Sequence, residues 1–138
     1  MASILLIDDD ESVRAMLRDT LAHFGHTVIE ARNGKEGLEL FDHVQADLLI
    51  TDIVMPEKDG LEVLMEVRRR HSRVNIIAMS GGGRVSAAAD YLQTAKLMGV
   101  TKVLTKPFSS ETLMAAVNAL LPDTGAKAGS TQPDSSNS

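Results

Sequence analysis

The chain has no cysteine and no tryptophan, and only 3% of its 138 residues are aromatic. Without cysteine there can be no disulfide, no thiol nucleophile and no cysteine-ligated zinc. Scarce aromatic rings remove the stacking platforms that bind single-stranded nucleic acid. Positive charge is also short, with 14 Lys and Arg against 19 Asp and Glu and a formal net charge of −5. That balance argues against a surface for a phosphate backbone. No apolar run approaches the length of a membrane span, and Met1-Ala2-Ser3 leads straight into an apolar run without a signal-peptide pattern. These absences point to a cytoplasmic protein that engages neither nucleic acid nor membrane.

What is present is a globular composition, 43% hydrophobic and 24% charged, at a length suited to one domain with a real core. That domain is expected over residues 1–121. Residues 122–138 are mostly Gly, Ala, Ser, Thr, Asp, Pro and Lys, too polar to bury a face, and are expected to form a disordered tail.

Five short apolar runs read as strands: residues 4–7, 26–31, 47–51, 75–79 and 101–105. Helical spacing fills the intervals. Val13, Met16, Leu17, Leu21 and Phe24 recur after Ser12 and its acidic neighbours, with Gly25 as the stop. Leu38 and Phe41 follow Asn33-Gly34. Leu61, Leu64 and Val67 precede Arg68-Arg69-Arg70, cations that suit a helix C-terminus. A fourth helix is expected over 88–98, with Tyr91, Leu92 and Ala95 on one stripe. A fifth carries Leu113, Val117, Leu120 and Leu121, capped by Ser109 and stopped by Pro122. Five strands alternating with five helices predict an α/β fold with a doubly wound, five-stranded parallel sheet.

In such sheets ligands bind beyond the carboxyl ends of the strands. Asp8 and Asp9 end the first apolar run, Asp52 the third, Ser80 the fourth and Lys106 the fifth. All five should therefore meet at one edge. Taken singly each has an ordinary explanation: an acidic helix cap, a turn residue, surface charge. Their joint placement is the signal. Three carboxylates in one cleft repel unless a cation sits among them, and an all-oxygen donor set suits Mg²⁺ or Mn²⁺. A carboxylate such as Asp52 can form an aspartyl-phosphate, with the Ser80 hydroxyl and the Lys106 ammonium available for phosphoryl oxygens. Gly81-Gly82-Gly83 lacks the Lys-Ser/Thr pair of a nucleotide-binding P-loop and follows the wrong strand. The four histidines, His23, His26, His43 and His71, show no metal-ligand spacing.

From residue 3 to about 121 the sequence resembles the receiver domain of two-component response regulators. The likeness rests on Ile4-Leu5-Leu6-Ile7-Asp8-Asp9-Asp10, on Leu49-Ile50-Thr51-Asp52-Ile53-Val54-Met55-Pro56 with Asp59-Gly60, on Met79-Ser80-Gly81 and on Lys106-Pro107-Phe108. The resemblance implies a flavodoxin-like strand order of 2-1-3-4-5. It implies Asp52 as phosphoacceptor, with Asp8, Asp9 and Asp52 around Mg²⁺ and the Val54 backbone carbonyl completing the set. It implies Ser80 and Lys106 as the switch hydroxyl and the active lysine, and a cis Lys106–Pro107 bond. The implied partners are a sensor histidine kinase or histidine phosphotransfer protein, and a downstream protein at the face of helix four, strand five and helix five. Two features depart from the family pattern. Val103 stands where an aromatic switch residue is usual, and the segment from Ser80 to Lys106 is a few residues longer than in compact members.

The expected function is thus a single-domain, non-enzymatic phosphoacceptor. One rival is a haloacid-dehalogenase-type phosphatase using Asp8 as nucleophile and Asp10 as acid/base. It leaves Asp52 idle and lacks an acidic pair after Lys106, where only Glu111 and Asp123 occur. The other rival is a pseudo-receiver that binds partners through an inert site.

Overall fold

The computed structural model describes residues 2–53, 60–70, 74–80 and 99–121. Within them the apolar runs become strands β1 (Ser3–Ile7), β2 (Thr27–Ala31), β3 (Leu48–Asp52), β4 (Asn75–Ser80) and β5 (Lys102–Thr105). They pair in parallel as one sheet of order β2-β1-β3-β4-β5, the order the family resemblance implied. Helices α1 (Glu11–His23), α2 (Gly34–His43), α3 (Gly60–Arg70) and α4 (Ser110–Leu120) connect or close the strands. The helix expected over 88–98, the glycine loop and residues 122–138 lie outside the described residues.

Continuous apolar strands are needed because both faces of the sheet are covered. Successive side chains of a strand point to opposite faces, and β1 shows the result. Leu5 and Ile7 pack with Leu38 and Phe41 of α2 and Val63, Leu64 and Val67 of α3. Ile4 and Leu6 pack with Leu17 and Leu21 of α1 and Leu113, Met114 and Val117 of α4. Each fully buried aliphatic side chain contributes roughly 1.5–3 kcal/mol, so the two layers together fix the sheet between its helices.

Helix boundaries follow local chemistry. Asp10, one of the acidic neighbours of Ser12, caps α1, accepting from the Ser12 and Val13 amides. The end of α1 closes with His26 N–H bonded to the Leu21 carbonyl and Gly25 N–H to that of Ala22. Gly25 adopts a φ of 91° there, a left-handed conformation that glycine reaches without strain. Asn33 and Ser109 cap α2 and α4. Met16 and Phe24, expected on the buried stripe of α1, are 43% and 57% exposed. The buried positions are Arg14, Leu17 and Leu21, and Met16 is about 100° round the helix from Leu17.

The chain leaves β1 for β2 on one side and later enters β3 on the other. The carboxyl edge between β1 and β3 is therefore the crevice where strand order reverses. Lateral hydrogen bonds keep the strand ends level. The Asp8 amide donates to Ala31 O at 3.2 Å, Ile53 to Met79 O at 3.0 Å, and Lys106 to Ser80 O at 2.8 Å.

Candidate functional site

Asp8 leaves β1 fully buried, and Asp52 is the last residue of β3 at 6% exposure. Asp52 is still within the ladder, opposite Met79 of β4, one residue beyond the strand end expected from sequence. Asp9 is exposed beside them. Carboxylate oxygens of Asp8, Asp9 and Asp52 all lie within 4.8 Å of one another. Lys106, the first residue after β5, reaches across β4 and β3. Its Nζ donates to Asp8 Oδ2 at 2.8 Å and to Asp52 Oδ2 at 3.0 Å. The Lys106–Pro107 bond is cis, as the resemblance implied.

The electrostatics favour keeping this lysine charged. Burial acts to lower its pKa, but the hydrogen bond it donates to Asp8 and the charges of Asp52 and Asp8 outweigh it, and the net shift is upward. Two buried carboxylates are tolerated here because a cation is shared between them. Asp8 Oδ1 also accepts the Asp10 amide at 2.9 Å, and Thr51 Oγ1 donates to the Asp52 carbonyl at 3.0 Å.

Ser80 ends β4, the strand next to that of Asp52. It is buried at 1% exposure, and its Oγ has no hydrogen-bond partner among the described residues. A buried hydroxyl left unpaired is unfavourable, and at the carboxyl end of the strand beside that of Asp52 it suits an incoming polar ligand.

The five residues expected at one edge are thus placed there: Asp8, Asp9 and Asp52 with carboxylate oxygens within 4.8 Å of one another, Lys106 bonded to Asp8 and Asp52, and Ser80 at the end of the adjoining strand. Val54 lies outside the described residues. Val103 sits on β5 opposite Ala78, half-buried. Among the described histidines, His26 Nδ1 faces the Ala2 amide, His43 Nδ1 the Glu39 carbonyl and His23 the Phe24 ring. Asp10, the acid/base of the phosphatase alternative, is committed to α1. It accepts from the Ser12 hydroxyl and amide and the Val13 amide, which hold its pKa low.

The donor set fits a hard divalent cation. Three clustered carboxylates and one ammonium leave an excess of negative charge, all donors are oxygen, and the exposed Asp9 side gives an ion a route in. Sequence reasoning missed Arg14, which is buried on α1 and donates from Nη1 to the Asp8 carbonyl at 2.7 Å. The available signal was a basic residue in the series 14, 17, 21 that forms the buried face.

Comparison with known proteins agrees with this geometry. The model of the response regulator receiver domain matches residues 4–118. The chemotaxis protein CheY of Bacillus subtilis is 34% identical over 119 residues, covering 86% of this chain and 96% of CheY. The response regulator MprA of Mycolicibacterium vanbaalenii is 36% identical over 127 residues, covering 89% of this chain but 53% of MprA. The chain therefore spans about half the length of the MprA-type regulators and nearly all of CheY. Among solved structures, the response regulator TrrA of Thermotoga maritima, in complex with Mg²⁺–BeF, superposes with a TM-score of 0.77 at 30% identity, covering 88% of this chain and all of TrrA. The chain belongs to the receiver-domain family of response regulators, the domains that accept a phosphoryl group in two-component signalling.

Proposed function

We propose that Asp52 is the phosphoacceptor, served by Asp8 and Asp9 as cation ligands and by Ser80 and Lys106 as phosphoryl-oxygen partners. The observation that carries this is Lys106 bridging two buried carboxylates, Asp8 and Asp52, from two different strands. An Asp52 carboxylate oxygen attacks the phosphorus of a phosphohistidine on a sensor kinase or phosphotransfer protein. The P–N bond breaks, its electrons return to the imidazole, and an acyl phosphate forms on Asp52. Bound Mg²⁺, held by Asp8, Asp9 and Asp52 with the Val54 carbonyl, would neutralise charge on the phosphoryl oxygens; Mn²⁺ suits the same donors. The Ser80 Oγ gains an acceptor, which it lacks among the described residues, and Lys106 turns part of its charge to the phosphoryl group. TrrA, whose structure contains Mg²⁺–BeF, supports the same occupancy here.

Residues 4–118 carry this role as a receiver unit. The proposed setting is cytoplasmic, with no catalysis beyond self-phosphotransfer and autodephosphorylation. Output is a binding event or onward phosphotransfer, at a face that includes β5 and α4. With Val103 in place of a ring, Ser80 is the coupling residue.

Incubation with Mg²⁺ and acetyl phosphate tests the assignment by intact mass. A gain of one phosphoryl group, lost in Asp52→Asn, is expected. No gain, or a gain that survives Asp52→Asn, would sink it.

A further inference from the structure

β2 contributes no carboxylate to the acid cluster, yet its Glu30 is joined to it through one side chain. Glu30 is partly buried; it accepts a hydrogen bond from Arg18 Nη1 at 3.0 Å and lies 3.4 Å from Arg14 Nε, an ion pair without a hydrogen bond that leaves this buried Nε with charge compensation alone among the described residues. Arg14 occupies a core-facing position of α1 at 8% exposure. A guanidinium there is unfavourable unless partnered, and its Nη1 spends its hydrogen bond on the Asp8 carbonyl at 2.7 Å. Every polar group of the Asp8 residue then has a fixed partner. The amide donates to Ala31 O of β2, the carbonyl accepts from Arg14, Oδ1 accepts the Asp10 amide, and Oδ2 accepts from Lys106.

We propose that Arg14, oriented by Glu30, is a positioning residue for the Asp8 carboxylate and sets cation affinity without touching the cation. This rests on Asp8 being a metal ligand, as proposed above. Holding the Asp8 carbonyl fixes the backbone torsion that aims the Cα–Cβ bond, and so the carboxylate, at the cluster. Glu30 offsets the Arg14 charge, so the guanidinium supplies geometry to the site with little added positive field. Groups that orient a ligand from outside the coordination shell typically change metal affinity 10- to 100-fold when removed.

The two physical roles of Arg14 predict opposite signs. If its charge were the important property, its removal would tighten binding of a divalent cation. If its hydrogen bond is, removal weakens it. Calorimetric titration of the full chain with Mg²⁺ decides, with urea stability measured alongside. Arg14→Met should raise the Mg²⁺ Kd about tenfold. Arg14→Lys keeps the charge but loses the planar fork that spans Asp8 and Glu30, and should also weaken binding, by about threefold. The Mg²⁺ concentration giving half-maximal phosphorylation should move in parallel. Tighter binding in Arg14→Met, or an unchanged Kd with stability alone reduced, would overturn the proposal. Should Arg14→Met fail to fold, Arg14→Lys carries the test, since it holds the charge constant. A parent chain that binds no Mg²⁺ would instead overturn the assignment of Asp8 as a ligand, which is a different result from a parent that binds and variants that bind equally well.

Discussion

The Lys106 ammonium stands 3.0 Å from the Asp52 carboxylate, which it reaches from the end of a strand two places away in the sheet. The same nitrogen is 2.8 Å from Asp8. One cation thus compensates two acids in the unmodified protein, and it is available to a third party once a divalent ion relieves it of that duty.

Replacing Lys106 by Met should therefore destabilise the metal-free chain. Breaking a buried ion pair costs about 3–5 kcal/mol, and the partial exposure of this lysine reduces the expectation to about 1–2 kcal/mol. Mg²⁺ should restore more stability to the variant than it adds to the parent, because it supplies the positive charge that was removed. Urea unfolding with and without Mg²⁺ measures both. Equal Mg²⁺ stabilisation of the two chains would contradict the shared-cation picture.

The upward pKa shift of Lys106 fixes the pH window of its contribution. A group whose folded-state pKa is raised stabilises fully below its unfolded value, about 10.4 for lysine, and the contribution fades as pH rises through the higher folded value. The stability gap between the parent and Lys106→Met should stay constant from neutral pH to about 10 and narrow only above that. A gap that shrank already near neutrality would mean that burial, not the two acids, dominates this lysine.

Ser80→Ala should leave the unmodified chain as stable as before or raise it by up to about 1 kcal/mol, since it deletes a buried hydroxyl with no partner among the described residues. Stabilisation by Mg²⁺ with beryllofluoride should fall in the same variant. Denaturant midpoints with and without the phosphoryl mimic provide the comparison. A loss of stability in the unmodified state would show that the hydroxyl is already engaged.

Gly37 sets the backbone of α2 against the Ile7 side chain of β1. A Cβ at this position would collide with Ile7 Cδ1 and stand 2.8 Å from its Cγ1. Alanine is the better helix former by about 1 kcal/mol, but overpacking typically costs about 1–3 kcal/mol, and Ile7 is fully buried between the sheet and α2. Gly37→Ala should be net destabilising, and the Gly37→Ala/Ile7→Val double variant should recover part of the loss. Additive effects would show that the two residues do not meet.

The residues at strand ends were legible because sheet topology gives sequence position a meaning. In a doubly wound sheet the polar residue that ends an apolar run is delivered to a known edge, so Asp8, Asp52, Ser80 and Lys106 could be placed together without coordinates. The strand order came from family likeness, because apolar runs do not state their neighbours. Arg14 and Glu30 escaped for a related reason. A charged residue on a helix or an edge strand is usually solvated, and the 14, 17, 21 series becomes a buried face only when the helix is docked. Met16 and Phe24 erred in the other direction, as apolar residues near the stripe but turned out of it.

Lys106 is separated from Asp8 by 98 positions and from Asp52 by 54. During synthesis all three acids of the cluster emerge well before the lysine that compensates two of them. Until β5 docks beside β4, bringing those acids together is opposed by their mutual repulsion, and the contact that relieves it has one of the longest loop closures in the chain. The acidic edge is therefore completed by β5. A chain lacking residues 101–121 should hold its acidic strand ends apart, measurable as fast amide exchange at Asp8 and Asp52, and competence for signalling becomes a test of whether the sheet has been completed.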